Sequence, residues 1–210
     1  MIARLRAIEA SAKPSDGVVC FARLYCNVTE LVAADVGAGT FVAPTFLERL
    51  DIVFADLFFG VVANPARVPS AWAPLFAARS LRGIAPLQFA LAGMNAHIEH
   101  DLPLAVLDAA RALGRDPESY DTDFHRVNDL LAQVEAQVRQ ELLPDPTQAA
   151  EPLLHVLGVW SIDRARDAAW ASVLALRGLR ALPPAYQAYG AALDASVGMV
   201  SRALLTPVGG

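Results

Sequence analysis

The chain has no Gly-x-Ser-x-Gly elbow, no Gly-x-x-x-x-Gly-Lys-Ser/Thr loop, no His-Glu-x-x-His pair and no Cys-x-x-Cys. These absences set aside the commonest serine-hydrolase, P-loop, zinc-protease and thioredoxin-type chemistries. No useful length of sequence alternates at period two, and no Gly-rich strand-to-helix loop is present, so a parallel sheet around a nucleotide is not expected. Only two cysteines occur, Cys20 and Cys26. On one helix they fall on roughly opposed faces and cannot bridge, which points to a reducing setting. No apolar leader precedes Glu9, so the expected location is cytoplasmic. The greasiest run, Leu50 to Ala63, is broken by Asp51 and Asp56 and is too short to span a bilayer. Charge is scarce as well, at 19% of residues with a net charge of -5. An acidic chain is a poor match for nucleic acid or an anionic membrane.

What is abundant is apolar. The 210 residues are 55% hydrophobic, with a mean hydropathy of +0.37. That composition implies a thick core and leaves room for a buried homodimer face. Helical periodicity predicts an all-α single domain of about seven helices. Residues 1–17 are expected to be weakly structured, with a short helix from Ile2 to Ala12. Helices are then expected over Cys20–Val36, Thr45–Val62 and, capped by Ser70, around Trp72–Arg79. Pro86 to Leu113 reads as one long apolar helix with Pro103 inside it. Proline lacks an N–H and clashes with the carbonyl four residues back, here that of Glu99, so a kink or break is expected there. Further helices are expected over Asp123–Leu143, within Pro152–Leu179 and over Ala185–Leu204, with residues 205–210 as a loose tail.

One stretch concentrates unusual residues: Gly93-Met94-Asn95-Ala96-His97-Ile98-Glu99-His100-Asp101-Leu102-Pro103. His97, His100 and Asp101 lie at i, i+3 and i+4 and share a helix face. His97 has apolar neighbours, so it is expected inside. Asp101 is its available partner, as a base with its orienting acid or as a satisfied core histidine. Gly93 leaves room for a close neighbour. The spacing repeats in His125, Asn128 and Asp129. If the two stripes face each other, His97, His100, Asp101, His125 and Asp129 make a candidate site for one divalent metal, with Asn128 a poor ligand. The cofactor expectation is therefore no metal or one.

Two further positions stand out. Asp56, among Ile52, Val53, Phe59 and Gly60, is expected on a buried face, with Arg23 of the Phe21–Tyr25 run as its cation. In Trp160–Trp170, Arg164, Arg166, Asp163 and Asp167 lie among tryptophans, where arginine can bind a carboxylate, stack on a ring or tie helices together. Asn95, Asp56, Arg23, Tyr25, Trp160 and Arg166 complete the candidate substrate-binding set.

Phe21–Tyr25 with Val28-Thr29, then Ile84 through His97, Asp101-Leu102-Pro103, Val127–Leu131 and Ala165–Trp170 resemble an uncharacterised bacterial family of unknown function across nearly the whole chain. That resemblance implies relatives and no chemistry. His97-x-x-x-Asp101-Leu102-Pro103 is also similar to part of the ligand helix of the zinc-dependent phospholipase C and single-strand nuclease group. The histidine that should follow the proline and the N-terminal tryptophan ligand are missing. The leading expectation is a small-molecule enzyme with His97, Asp101, Asn128 and Asp129 in a bundle pocket. It would cyclise, isomerise or dehydrate an apolar, polyketide- or terpenoid-like substrate. The alternatives are a metal-dependent hydrolase at His97 and Asp101, and a non-enzymatic binding or scaffold protein.

Overall fold

The structure, a computed structural model, describes residues 1–36, 41–127, 131 and 160–207, leaving aside the side chains of 31–36. The expected Asn128 and Asp129, and much of the chain up to residue 159, lie outside the described residues. Among the described residues every regular element is helical. In chain order they are α1 (Ile2–Ala10), α2 (Gly17–Val36), α3 (Pro44–Ala63), α4 (Ala73–Ala78), α5 (Pro86–Asn95), a π-helical turn (Ala96–Asp101), α6 (Leu102–Ala112), α7 (Ile162–Leu179) and α8 (Pro183–Leu204). Residues 121–127 are helical too, and two 3-10 turns lie at Pro65–Arg67 and Pro117–Tyr120. The all-α class read from periodicity is the class observed.

The apolar run of α5 has no polar face because it needs none: Leu87 through Asn95 is buried throughout. It lies against α2, and Gly93 sets how closely. A Cβ on Gly93 would stand 2.4 Å from the Phe21 ring. Phe21, Phe58, Phe89 and Trp72 fill the surrounding core, each buried phenylalanine contributing roughly 1.5–3 kcal/mol.

α8 clamps this central layer through polar ties. Asn95 Nδ2 donates to the Val197 carbonyl at 3.1 Å and to Ser201 Oγ at 3.0 Å. Gln88 Nε2 donates to the carbonyls of Leu204 and Thr206 at 2.8 and 2.7 Å. The expected loose tail is therefore pinned at its start, with Leu205 buried. Further along the clamp, Asp194 accepts from the backbone N–H groups of Ser70 and Ala71.

That last tie corrects the sequence reading of Ser70 as a helix cap. Trp72 precedes α4 with no side-chain cap, and a carboxylate more than 120 residues away serves the approach instead. α2 likewise starts at Gly17 rather than Cys20, because Asp16 accepts from Val18 and Val19. The first residues are ordered too. Leu5 of α1 is fully buried, and Arg6 pairs with Glu30 at 2.7 Å.

Asp56 is the clearest correction. It and Arg4 form an exposed ion pair at 2.9 Å, each side chain 59% accessible, and Arg23 is exposed as well. The misreading has a physical cause. α3 is apolar nearly all round, and its outer stripe carries Ile52, Asp56 and Gly60, with Ile52 itself 54% exposed. Hydrophobic neighbours do not mark a buried face when both faces carry them.

Candidate functional site

Pro103 shapes the site locally. With no N–H of its own, it sits in the first turn of α6, where none is needed. The turn before it widens, so that Leu102 N–H donates to the His97 carbonyl, five residues back. The kink expected from the sequence takes the form of this π-helical turn, a rare element that concentrates at functional sites.

The widened turn gathers His97, His100 and Asp101 around one carboxylate. His97 Nδ1 lies 3.0 Å from Asp101 Oδ2, and His100 Nδ1 lies 2.7 Å from Oδ1. Trp72 Nε1 donates to Oδ2 at 3.0 Å. Burial alone would raise the Asp101 pKa. The hydrogen bonds with His100 and His97 outweigh that and hold it below the ordinary carboxylate value. An ionised Asp101 only accepts, so the proton on each neighbouring Nδ1 belongs to the imidazole.

The two histidines are pushed in opposite directions. His97 is almost fully buried, and burial pushes its pKa down against the pull of Asp101. Its ring stacks on Phe54 with centroids 3.6 Å apart and packs edge-on to Tyr25 at 4.7 Å. With Nδ1 donating, the lone pair of neutral His97 resides on Nε2. That atom is buried and has no hydrogen-bond partner. His100 is also opposed by burial, but the hydrogen bond with Asp101 and the charges of Asp101 and Asp194 prevail and raise its pKa. Its Nε2 lies 3.6 Å from Asp194 Oδ1.

His97 lines a cavity of about 320 Å3 bordered by α2, α3, α5, the π turn, Leu102, Phe124, Val127, Leu131 and α7. The walls are mainly apolar, from Phe21, Leu24, Leu47, Met94, Phe124 and Ile162. Polar residues are few: Tyr25, Thr29, Glu48, Asp51, His97 and Arg166. Asp51 is exposed at the rim, and partial desolvation of its carboxyl by the surrounding apolar wall pushes the pKa up to about 6, against the lowering effect of the N-terminal amine. Tyr25 is held well above its ordinary value by burial and by the charge of Asp51, so it remains a hydroxyl donor. A mostly apolar cavity with a few perturbed polar groups is the form small-molecule sites take.

The other candidates scatter. Of the substrate-binding set, Tyr25 and Arg166 line the cavity. Arg166 donates to the Phe124 carbonyl at 2.7 Å and lies over the Phe124 ring rather than a tryptophan. Burial lowers its pKa to about 10. Asn95 is occupied in the clamp to α8, and Trp160, Arg23 and Asp56 are not cavity residues. His125 turns to its own helix, with Nδ1 2.9 Å from the Asp121 carbonyl and its ring against Trp170. Among the described residues no group of three or more His, Cys, Asp or Glu is arranged to hold a metal ion. No described helix is long and apolar enough to cross a membrane.

Asp51, Thr29, Trp72 and Asp194 were missed. Asp51 carried a readable signal, since Leu47, Asp51, Phe54 and Phe58 form one helical stripe with a single carboxylate in it. Trp72 and Asp194 reach the triad only through tertiary packing.

A family model described as a family of unknown function (DUF5995) matches residues 1–207, and the chain belongs to that family. No curated protein and no solved structure matches it.

Proposed function

We propose that the chain is a small-molecule enzyme in which His97 acts as a general base inside the apolar cavity. The observation that carries this reading is the unpartnered Nε2 of a neutral histidine whose other nitrogen is fixed by a buried carboxylate. Buried imidazoles ordinarily satisfy both nitrogens. One that does so on a single side, next to a cavity, has the tautomer and orientation a base requires.

The chemistry follows from the groups around the cavity. His97 Nε2 takes a proton from a substrate carbon or hydroxyl, and Asp101 stabilises the resulting imidazolium. Asp51, which holds a proton near pH 6, donates to the oxygen on which negative charge develops. His97 then returns its proton at a different carbon and Asp51 recovers its own from the oxygen, so the product is an isomer of the substrate. Cyclisation and dehydration use the same two groups, with water leaving in the second case. The cavity, at the lower end of the ~300–1,000 Å3 range of ligand sites, suits a compact apolar substrate.

Deuterium incorporation from heavy water into indanone and α-tetralone, at the carbon beside the carbonyl, tests this reading. The native chain is expected to accelerate exchange, and His97→Gln to lose it by about a hundredfold or more. Equal exchange with the native chain and His97→Gln would contradict it. Elemental analysis of the same samples decides whether metal-assisted hydrolysis should replace acid–base chemistry. That outcome requires stoichiometric metal lost on substitution of His97.

A further inference from the structure

Among the described residues, four buried side-chain polar atoms have no hydrogen-bond partner: Thr29 Oγ1, Asn95 Oδ1, His97 Nε2 and Trp160 Nε1. Two of the four belong to residues lining the same cavity, Thr29 on α2 and His97 on the π turn. Leaving a buried hydroxyl or imidazole nitrogen unpaired costs about 1–3 kcal/mol. Both atoms are shut off from solvent, and both belong to residues of one apolar wall, so a molecule seated against that wall, with a small side-chain adjustment, can complete them.

We infer that the cavity takes an uncharged apolar molecule with two oxygen functions, one donating to His97 Nε2 and the other pairing with Thr29 Oγ1. The inference rests on the reading of this cavity as the substrate site, and it names the class of substrate. His97 Nε2 is an acceptor, because Nδ1 already donates to Asp101. The group beside it must therefore be a hydroxyl, an enol or a comparably acidic C–H. Thr29 both donates and accepts, so a carbonyl or a second hydroxyl serves it.

The spacing comes from α2. Phe21, Tyr25 and Thr29 recur every four residues on one face of that helix. The His97 ring packs on Phe21 and Tyr25, at 5.7 and 4.7 Å between centroids. Thr29 follows Tyr25 by one turn, about 6 Å along the axis. The two oxygens are thus expected at opposite ends of a small apolar body rather than on adjacent carbons.

Charge is disfavoured at either end. The two unpartnered groups are neutral, and the rest of the lining is largely hydrocarbon and aromatic ring, where an unpaired ion carries a heavy desolvation cost.

The test is a binding series on the full chain by calorimetry, under reducing conditions. The probes are tert-butylhydroquinone, with two opposed hydroxyls, para-tert-butylphenol, with one, tert-butylbenzene, with none, and para-tert-butylbenzoate, which is charged. Affinity is expected to fall in that order, by about fivefold for each hydrogen bond lost. Thr29→Val should bring the hydroquinone down to the level of the phenol and leave the phenol unchanged. The same substitution removes an unpartnered hydroxyl, so it should shift the urea-unfolding midpoint upward, which guards against a folding artefact. Equal affinity for phenol and hydrocarbon, preference for the benzoate, or no effect of Thr29→Val would each overturn the inference. The expected order without His97-dependent proton exchange would retain the ligand class and remove the enzyme reading. Exchange without the order would do the reverse.

Discussion

The chain writes nearly the same spacing twice, and the leading histidines of the two copies, the members described in both, meet opposite fates. His97, His100 and Asp101 close into a buried triad in which Asp101 receives three donors. His125 stands at the start of the second copy with its ring 40% exposed, paired to Asp121 of its own helix at 3.3 Å. Spacing places side chains on one face. What that face meets decides whether they become a surface pair or a site. The first copy meets α2 and α3, which supply an aromatic cage, the Trp72 indole just before α4, and the Asp194 carboxylate of α8.

The contrast should appear most strongly when each carboxylate is removed. Asp101→Ala leaves the nitrogens of Trp72, His97 and His100 without their acceptor, and a loss of about 3–5 kcal/mol in urea unfolding is expected. Asp121→Ala, at an exposed pair, should stay within about 0.5 kcal/mol of the native chain. Similar losses for both would erase the distinction.

Acidity sharpens the comparison next. Asp51 has a folded pKa of about 6, raised above the ordinary carboxylate value by desolvation. A carboxyl with a raised folded pKa favours folding in its protonated form. Its contribution is full below the unfolded value and is lost as pH rises through about 6. Asp51→Asn should therefore be more stable than the native chain at pH 7, and that advantage should shrink towards pH 4. Unfolding titrations of both chains across this range check the sign. An advantage that grows in acid would contradict it.

The triad itself contains opposed titrations. His97 is depressed and loses stability as pH falls below its unfolded value. His100 is raised and loses stability as pH climbs through its folded value. His97→Phe should flatten the limb below the ordinary histidine value, and His100→Gln the limb above it. The smallest effect is expected at the other copy, where His125→Ala should change stability by less than about 0.5 kcal/mol.

How much of this was readable depends on how local the cause is. The helical class and the His97–Asp101 pairing follow from periodicity and from apolar neighbours at i-3 and i+1, all within one turn. Pro103 announced irregular backbone at the right place, but not that the turn would widen instead of kinking. The assignment of Asp56 failed because α3 is apolar on its outer face as well. Asp51 lay in plain view on an aromatic stripe, yet only the depth of the cavity separates it from an ordinary surface acid. Trp72 and Asp194 are 29 and 93 residues from Asp101 in the chain, and no local pattern links them to it.

The central claim is that His97, a residue of the cavity wall, is neutral, with its proton on Nδ1 and an unpartnered Nε2. Two-bond proton–nitrogen correlation spectra of the histidine rings, followed from pH 5 to pH 8, test it most directly. The account predicts an Nδ1–H tautomer for His97 that protonates only below the ordinary histidine range, while His100 remains charged to higher pH. A His97 ring protonated on Nε2, or one that titrates at or above the ordinary value of about 6.5, would contradict it.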